Sequence, residues 1–464
     1  MLDIKLDNCY ISGRDGNFSI GIGHGRILFI GEIIREPAKK TVDMGGKFAV
    51  PGFIDSHTHL LSLGLENTRI GLFSCKTRDD AIQRIVKGSK DASRKIVIAY
   101  RWDESLWGET EYLTRPELDV VEKPVIAFRR DGHMATLNSA ALRLIGRENV
   151  RNGVLKEDDL RLLDNIILPD DVERAVALKK SQEIAIREGV TAVREIVDRK
   201  TYETYGRVGN KIRIFRTVYD REIFDGIGVG HQQDWGIKTF LDGSIGARTA
   251  AHRDWPAKNL IRNWREFENL CISIWSRNLP VAAHAIGEEA VETAVKVFSN
   301  HSGRFRNSIE HFELMPDGII EQLNESIVIS SQPNFLEWAG KNGMYEDRLG
   351  KEWLTRNNPF RGILDAGLHL AFGSDTMPLG PMYGIHFAVN SEFSQQRIGL
   401  QEAIKCYTEG GAYLLGAENY MGKLEEGYLA DIVFFDRDLN TEAENLKNIK
   451  PSDVMIGGKF MNLA

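Results

Sequence analysis

The chain has 464 residues, which is too long for one small core and fits a large barrel with additions or several separate domains. Hydrophobic residues make up 42% and charged residues 27%, as in an ordinary soluble protein. The formal net charge of −7, which is not concentrated in one tail, argues against nucleic-acid binding, because that would need a basic face.

The first segment, MLDIKLDNCYISG, lacks the basic start and apolar core of a secretory signal peptide. No apolar run approaches the roughly 18 residues that a membrane span needs. The four cysteines lie far apart and form no CxxC pair, which is typical of reduced thiols and not of a disulfide framework. We therefore expect a cytoplasmic protein that does not bind a membrane.

Both ends of the chain have the pattern of β-strands. Residues 1–50 are short apolar runs broken by Gly and Asp, without a helical period. The far end contains GYLADIVFFDRDL and DVMIGGKFMNLA, each with a strand-like run. The pattern predicts one small β domain built from residues 1–50 and 416–464, flanking a central domain over residues 51–415.

The central domain contains short apolar runs, and most of the spaces between them are long enough for a helix. Eight strands with helical connections predict an α/β fold, a (β/α)8 TIM-type barrel. The eight runs are residues 53–60, 189–196, 212–219, 236–243, 279–287, 306–314, 326–334 and 368–375.

The connection between barrel strands 1 and 2 is too long for a single helix. Its last part, PDDVERAVALKKSQEIAIREG, has acidic residues at its start and Gly189 at its end, as a helix does. A structureless loop over the remainder would be unusual. We therefore predict an inserted α/β segment over about residues 61–165.

Several chemically reactive side chains fall at the carboxyl ends of the predicted strands, the rim that carries the active site in barrels of this type. They are His57, His59, Lys238, His284, His311 and Asp375. Each alone has a structural explanation; Lys238, for example, would be a lysine that snorkels to water at a strand end. Together, imidazole and carboxylate are the ligands that zinc, iron or manganese accept, so the pattern predicts a metal site.

Several motifs resemble the amidohydrolase superfamily of metal-dependent hydrolases. These motifs are PGFIDSHTHL, HAIG, IEH and GSD, together with the strand-four lysine. The YtcJ-like branch, amidohydrolase family 3, is indicated by RWDESLW, DGHMATLNSAAL, IKTFLDGSIGARTA, HAIGEEA and EEGYLADIVFFD. The chain departs from the family at Glu288, where Asp is common, and at TEGGAYLLG, which replaces a TxNPA-like run.

The resemblance implies that the two terminal segments, 1–50 and 416–464, form a β-sandwich. In the barrel it implies two divalent metal ions, zinc above all, with iron or manganese as alternatives. It also implies that carbon dioxide carboxylates Lys238, which then bridges the two metals. By the family pattern, one metal is bound by His57, His59, the modified Lys238 and Asp375, and the other by the modified Lys238, His284 and His311. A metal-bridging hydroxide, with Asp375 as general base and then acid, would hydrolyse a non-peptide C–N bond of a small molecule.

Four further residues are candidates for contact with a small-molecule substrate: Trp102, Asp103, Arg248 and Gln332. Packing inside the insertion is an equal explanation for Trp102 and Asp103. His133 would act catalytically as a hydrogen-bond donor or oxyanion stabiliser, or be structural. Arg248 would bind a substrate carboxylate or pair with Asp242.

Other functions stay open at this point. The same site would serve a deaminase or an ester, lactone or phosphotriester hydrolase. A barrel without catalysis, acting as a binding or regulatory protein, is a third class, but such a protein would be free to lose ligands that this chain retains. The sequence names neither the substrate nor the oligomeric state, and a homodimer is among the arrangements that it permits.

Overall fold

The computed structural model describes residues 1–91, 95–107, 112–130, 132, 134–220, 234–246, 248–255, 263–301 and 305–463. Within them no helix is long and apolar enough to cross a membrane. The strands are β1 Ile4–Ile11, β2 Asn17–Gly23, β3 Arg26–Gly31, β4 Thr41–Pro51, β5 Phe53–Thr58, β6 Ile70–Gly71, β7 Val97–Trp102, β8 Val125–Arg129, β9 Met134–Leu137, β10 Val154–Lys156, β11 Val190–Val197, β12 Arg213–Tyr219, β13 Asp234–Phe240, β14 Val281–Ala285, β15 Asn307–His311, β16 Ile327–Ser331, β17 His369–Phe372, β18 Ile432–Phe435, β19 Asp453–Ile456 and β20 Lys459–Phe460.

The helices mostly lie between the strands. They are α1 Leu60–Thr68, α2 Arg78–Ser89, α3 Arg115–Leu118, α4 Ser139–Leu144, α5 Asp164–Ile167, α6 Asp171–Arg187, α7 Arg199–Tyr205, α8 Trp264–Trp275, α9 Glu288–Asn300, α10 Met344–Leu349, α11 Phe360–Asp365, α12 Pro381–Asn390, α13 Leu400–Lys405 and α14 Gly411–Leu414. A π-helical turn, Cys406–Gly410, joins the two helices before residue 415.

An eight-stranded parallel sheet forms the barrel, in the order β17-β16-β15-β14-β13-β12-β11-β5. Every one of the eight predicted runs overlaps one of these strands, so the predicted barrel is confirmed. The end of β17 meets β5, because the Asp375 amide donates to the His57 carbonyl at 2.9 Å. All positions of β5, β11, β15 and β16 are buried, as expected for parallel strands covered on both faces.

The two ends of the chain share a seven-stranded sheet, in the order β20-β19-β18-β4-β1-β2-β3. The C-terminal β18 pairs antiparallel with β4, which continues through Gly52 into the first barrel strand. Arg213 of β12 forms two hydrogen bonds with Asp431, at 2.8 and 3.0 Å. This sheet therefore holds the strand that leads to His57.

Residues Leu60–Ser181 form a compact unit of their own, wider than the predicted insertion. Its five-stranded sheet has the order β10-β9-β8-β7-β6. Buried residues form one core cluster around Val97, Ala99 and Leu113 and another around Ile98, Phe128 and Leu142. Val97, Ile98 and Ala99 are consecutive, so β7 alternates its side chains between two cores, as the pleat of a strand requires.

Candidate functional site

The residues predicted to bind metal all lie at the carboxyl ends of barrel strands. They are His57 and His59 around the end of β5, Lys238 in β13, His284 in β14, His311 in β15 and Asp375 after β17. The imidazole rings are neighbours: the ring centres of His57 and His311 are 5.0 Å apart, and those of His284 and His311 are 4.4 Å apart. Ligand atoms of His57, His311 and Asp375 lie within 4.8 Å of one another.

His57 is oriented by a buried carboxylate. Its Nδ1 lies 2.6 Å from Glu310 Oε2. An ionised carboxylate only accepts, so Nδ1 carries the hydrogen and Nε2 keeps its lone pair on the Asp375 side, 3.7 Å from Oδ1. Burial, and then the charge of Lys238, lowers the pKa of His57 to about 4, so the ring is neutral near pH 7.

Glu310 is itself paired with Arg194, and both side chains are fully buried. The Arg194 guanidinium also donates to the Ser56 carbonyl at 2.7 Å and to Ser308 Oγ at 2.9 Å. Burial would raise the pKa of Glu310, but Arg194 and His57 hold it well below its ordinary value. Glu310 therefore stays ionised behind His57.

His284 and His311 present different nitrogens to the centre of the barrel. His311 Nδ1 lies 2.6 Å from Gln332 Oε1, and His284 Nε2 lies 3.0 Å from the Gly243 carbonyl. Both partners are acceptors, so His311 keeps a lone pair on Nε2 and His284 keeps one on Nδ1. Burial, and then the charge of Lys238, lowers the pKa of His284 to about 3.

Asp375 contacts the remaining histidine of the site. Its Oδ1 lies 3.1 Å from His59 Nε2. Burial would raise the pKa of Asp375, but the hydrogen bond from His59 and the charges of the neighbouring imidazoles hold it below its ordinary value. An ionised carboxylate thus stands beside two imidazoles, a combination that binds divalent cations.

Lys238 is buried among these groups, with 1% of its surface exposed. Among the described residues, its Nζ has no hydrogen-bond partner. Burial lowers the pKa of the amine to about 8; Glu310 opposes the shift, and Arg194 adds to it. The neutral imidazoles and the ionised carboxylate around this amine fit a site that a divalent cation completes.

Backbone geometry brings the ends of β15 and β17 into this cluster. His311 has φ 73° and Asp375 has φ 50°, both in the left-handed region that non-glycine residues rarely adopt. A Cβ on Gly373 would lie 2.6 Å from the His57 amide nitrogen, so only glycine permits this approach. Ser374 Oγ donates to Asp55 Oδ2 at 2.6 Å, which holds the GSD turn against β5. Strain of this kind concentrates at functional sites.

Asp242 anchors the turn that follows β13. Its carboxylate accepts the amides of Ala251 and Gly287, at 2.9 and 2.7 Å. It does not pair with Arg248, which is exposed, has φ 57°, and has no ion pair among the described residues. Contact between Arg248 and a substrate stays a prediction.

The other predicted substrate residues lie in varied surroundings. Trp102 packs fully buried in the core of the insertion, and its Nε1 donates to the Ala127 carbonyl at 2.8 Å. Asp103 lies 3.6 Å from the Arg130 guanidinium. Gln332 is 1% exposed and orients His311, as described above. Substrate contact for these three residues stays a prediction. His133 lies outside the described residues, so its catalytic role also stays a prediction.

A family model described as the amidohydrolase family matches residues 40–461. The chain belongs to this family. YtcJ of Bacillus subtilis (strain 168), which is assigned to the amidohydrolases, is 26% identical over 90% of this chain and 89% of its own length. The predicted amidohydrolase resemblance is thereby confirmed.

Two further relatives match most of the length of this chain. Protein LONG AFTER FAR-RED 3 of Arabidopsis thaliana is 26% identical over 98% of this chain and 91% of its own. The crystal structure of an uncharacterised metal-dependent hydrolase from Pyrococcus horikoshii OT3 is 26% identical, with a TM-score of 0.78 over 96% of this chain and 98% of that one. Fold and family together make this chain a metal-dependent hydrolase.

Three orienting residues of the amidohydrolase site are absent from the sequence prediction: Asp55, Arg194 and Glu310. All three are charged residues at buried positions of barrel strands, as Lys238 is. Their partners depend on the register between β5, β11 and β15, which one sequence does not reveal.

Proposed function

We propose that this amidohydrolase cleaves a C–N bond, other than a peptide bond, in a small molecule. In the proposal Lys238 is carboxylated and bridges two divalent cations, zinc being our first choice and iron or manganese the alternatives. One cation would be held by His57, His59, Lys238 and Asp375, and the other by Lys238, His284 and His311. The observation that carries the proposal is the buried Lys238 amine, which lacks a hydrogen-bond partner among the described residues.

The surroundings of Lys238 favour carboxylation. Only a neutral amine has the electron pair that attacks the carbon of carbon dioxide, and burial lowers the pKa of this amine to about 8. As the N–C bond forms, one C=O bond opens to an oxyanion and the nitrogen loses a proton to solvent. The product is a carbamate with one negative charge shared by two oxygens, so the neutral amine would become an anionic metal ligand.

Asp375 would move the proton during hydrolysis. A bound divalent cation polarises a substrate carbonyl and lowers the pKa of water. Asp375 is ionised and held by His59, so its Oδ1 is oriented to accept a proton from the attacking water. It would then deliver that proton to the leaving nitrogen, which is far more basic than a carboxylate.

Removal of the Lys238 amine tests the bridging role. We expect Lys238→Ala to lose at least one bound metal and most activity, with partial rescue by acetate or propionate. Metal content per chain and turnover on a panel of amides measure both effects. The control is Lys47→Ala, which removes a lysine from a surface ion pair with Asp453. Full metal content and full activity in Lys238→Ala would contradict the proposal.

Labelled bicarbonate tests the carbamate directly. Wild-type protein supplied with 13C-bicarbonate should give a carbamate carbon signal by NMR, and Lys238→Arg should give none. Product analysis on the same panel identifies the bond, because ammonia from a ring amine indicates deamination and an alcohol indicates ester or lactone cleavage. Metal-loaded protein without turnover on any substrate would instead favour a binding or regulatory role.

A further inference from the structure

The segment that follows β16 contacts the turn that carries Asp375. A short 3-10 helix, Pro333–Glu337, begins just after β16, and Asn334 lies in it, fully buried. The Asn334 Nδ2 donates to the Ser374 carbonyl at 2.8 Å and to the Met377 carbonyl at 3.0 Å. One buried amide group therefore binds a backbone carbonyl on each side of Asp375.

The turn around Asp375 has an unfavourable backbone conformation. The Met377 amide donates to the Ser374 carbonyl at 3.0 Å, which closes a β-turn with Asp375 and Thr376 at its centre. Asp375 has φ 50° and Thr376 has φ 57°, so both central residues lie in the left-handed region. A β-branched residue such as threonine rarely adopts that region. The turn therefore needs contacts from outside to keep its shape.

Asn334 supports the part of the turn that lies away from β5. On the β5 side, the Asp375 amide donates to the His57 carbonyl at 2.9 Å. On the other side, Asn334 holds the Met377 carbonyl, which ends the turn. Among the described residues, the Asn334 Oδ1 is buried without a hydrogen-bond partner. The described hydrogen bonds of this side chain are thus both directed at the turn.

We propose that Asn334 is a positioning residue for Asp375: its amide group holds the left-handed turn in the shape that directs the carboxylate towards His57 and His59. The carboxylate oxygen lies 3.7 Å from His57 Nε2 and 3.1 Å from His59 Nε2. Without the two hydrogen bonds, the strained turn would relax and the carboxylate would move from the imidazoles. The reaction step assigned to Asp375 rests on the function proposed above, whereas the support of the turn does not.

Hydrogen–deuterium exchange of the metal-free, full-length protein tests the support of the turn without catalysis. Asn334→Leu keeps a branched side chain of similar size but removes both donated hydrogen bonds. We expect faster exchange over residues 373–378, where the Asp375 and Met377 amides are hydrogen-bonded, as measured by mass spectrometry. Asn334→Ser, a smaller change that keeps one donor, should give an intermediate rate. Wild-type exchange over this segment in both variants would overturn the inference.

Asn138→Leu is the matched control. The Asn138 side chain is also buried, and its Nδ2 donates to the carbonyls of Val121 and Lys123, at 2.8 and 2.9 Å, within the insertion. This variant should exchange as the wild type does over residues 373–378 and should keep its metal affinity. If it lost metal affinity as Asn334→Leu does, the effect would be a general one, and the positioning role would be wrong.

Metal binding and kinetics separate this inference from the proposed function. By competition with a chelator, we expect Asn334→Leu to bind metal about 10-fold to 100-fold more weakly. At saturating metal, kcat should fall by up to about 100-fold while KM stays close to wild type, because a displaced base slows the reaction more than it weakens substrate binding. Faster exchange with wild-type metal affinity and kcat would refute the positioning role and leave the proposed function standing. Faster exchange and weaker metal binding, in a protein whose wild type cleaves no amide, would support the positioning role and refute the proposed function.

Discussion

Single residues inside apolar strands carry most of the chemistry of this barrel. Lys238 could be predicted from sequence because a lysine in a buried strand requires a partner, and the histidines on other strands supply the context. Arg194 and Glu310 carry the same signal, yet sequence could not pair them. The ion pair between Arg194 and Glu310 joins β11 to β15, and the hydrogen bond that His57 donates to Glu310 joins β5 to β15.

We expect Glu310 to affect metal affinity as strongly as a residue that binds the metal directly. Glu310→Gln replaces the charged acceptor of His57 Nδ1 with a weaker, neutral one and leaves the buried Arg194 without its charge partner. Loss of an orienting partner typically costs about 10-fold to 100-fold in metal affinity. Removing one member of a buried ion pair costs about 3–5 kcal/mol of unfolding free energy. Competition with a chelator measures the first effect, and urea unfolding measures the second.

A matched substitution separates this role from a general loss of charge. Glu418→Gln removes the carboxylate of a more exposed pair with Arg306, for which about 1 kcal/mol or less is expected. Metal affinity in that variant should equal wild type. If Glu310→Gln behaved like Glu418→Gln in both measurements, the orienting role of Glu310 would be wrong.

The turn after β13 shows how an element, and not a single side chain, sets the site. Asp242 accepts amides from both the turn and the residues before α9, so the turn and the end of β14 are held together beside His284. The glycines of DGSIG are typical of a turn after a strand. The sequence does not reveal the anchor, because the amides that donate hydrogen bonds to Asp242 lie on different elements.

Gly287→Ala should disrupt this anchored turn. An added Cβ would lie 2.4 Å from the Ala251 carbonyl carbon, a backbone atom that cannot move aside freely. We expect a loss of about 1–3 kcal/mol in unfolding free energy, as for overpacking elsewhere, together with weaker metal binding through displaced His284. Gly209→Ala is the control, because its added Cβ would meet nothing within 4 Å. Equal stability of the two variants in urea would rule out the tight contact.

At the scale of the molecule, the order of elements was predictable because the strand period and the helix-length spaces repeat eight times in the chain. The strand order at the two ends of the chain could not be predicted from the sequence pattern alone. Sequence showed strands at both termini, and the structure adds that β18 lies between β19 and β4. That pairing joins residues separated by most of the chain, and its register depends on packing that a local pattern does not contain. Asp431, which binds both Arg213 and the Gly457 amide, could not be distinguished from a surface acid by sequence.

The stability of the whole protein should fall in mild acid, in part through His369, a histidine that is not one of the predicted metal ligands. His369, at the start of β17, stacks on Tyr413, with the ring centres 3.6 Å apart. The Arg306 guanidinium lies 3.9 Å from the centre of the same Tyr413 ring. Burial, and then the charge of Arg306, lowers the pKa of His369 below its ordinary value. Below about pH 6.5 the unfolded chain therefore binds more protons at His369 than the folded chain does. The contribution of the neutral ring to the unfolding free energy is complete above that pH. It is lost as the pH falls towards the pKa of His369 in the folded protein.

We expect His369→Gln to flatten the pH dependence of the unfolding free energy between pH 7.5 and 5.5. The change in slope is at most about 1.4 kcal/mol per pH unit, the limit for one proton. Urea unfolding across that range measures the effect, with His24→Gln, an exposed histidine of the terminal sheet, as the control. If His369→Gln and wild type followed parallel curves, protonation of this ring would not be linked to folding.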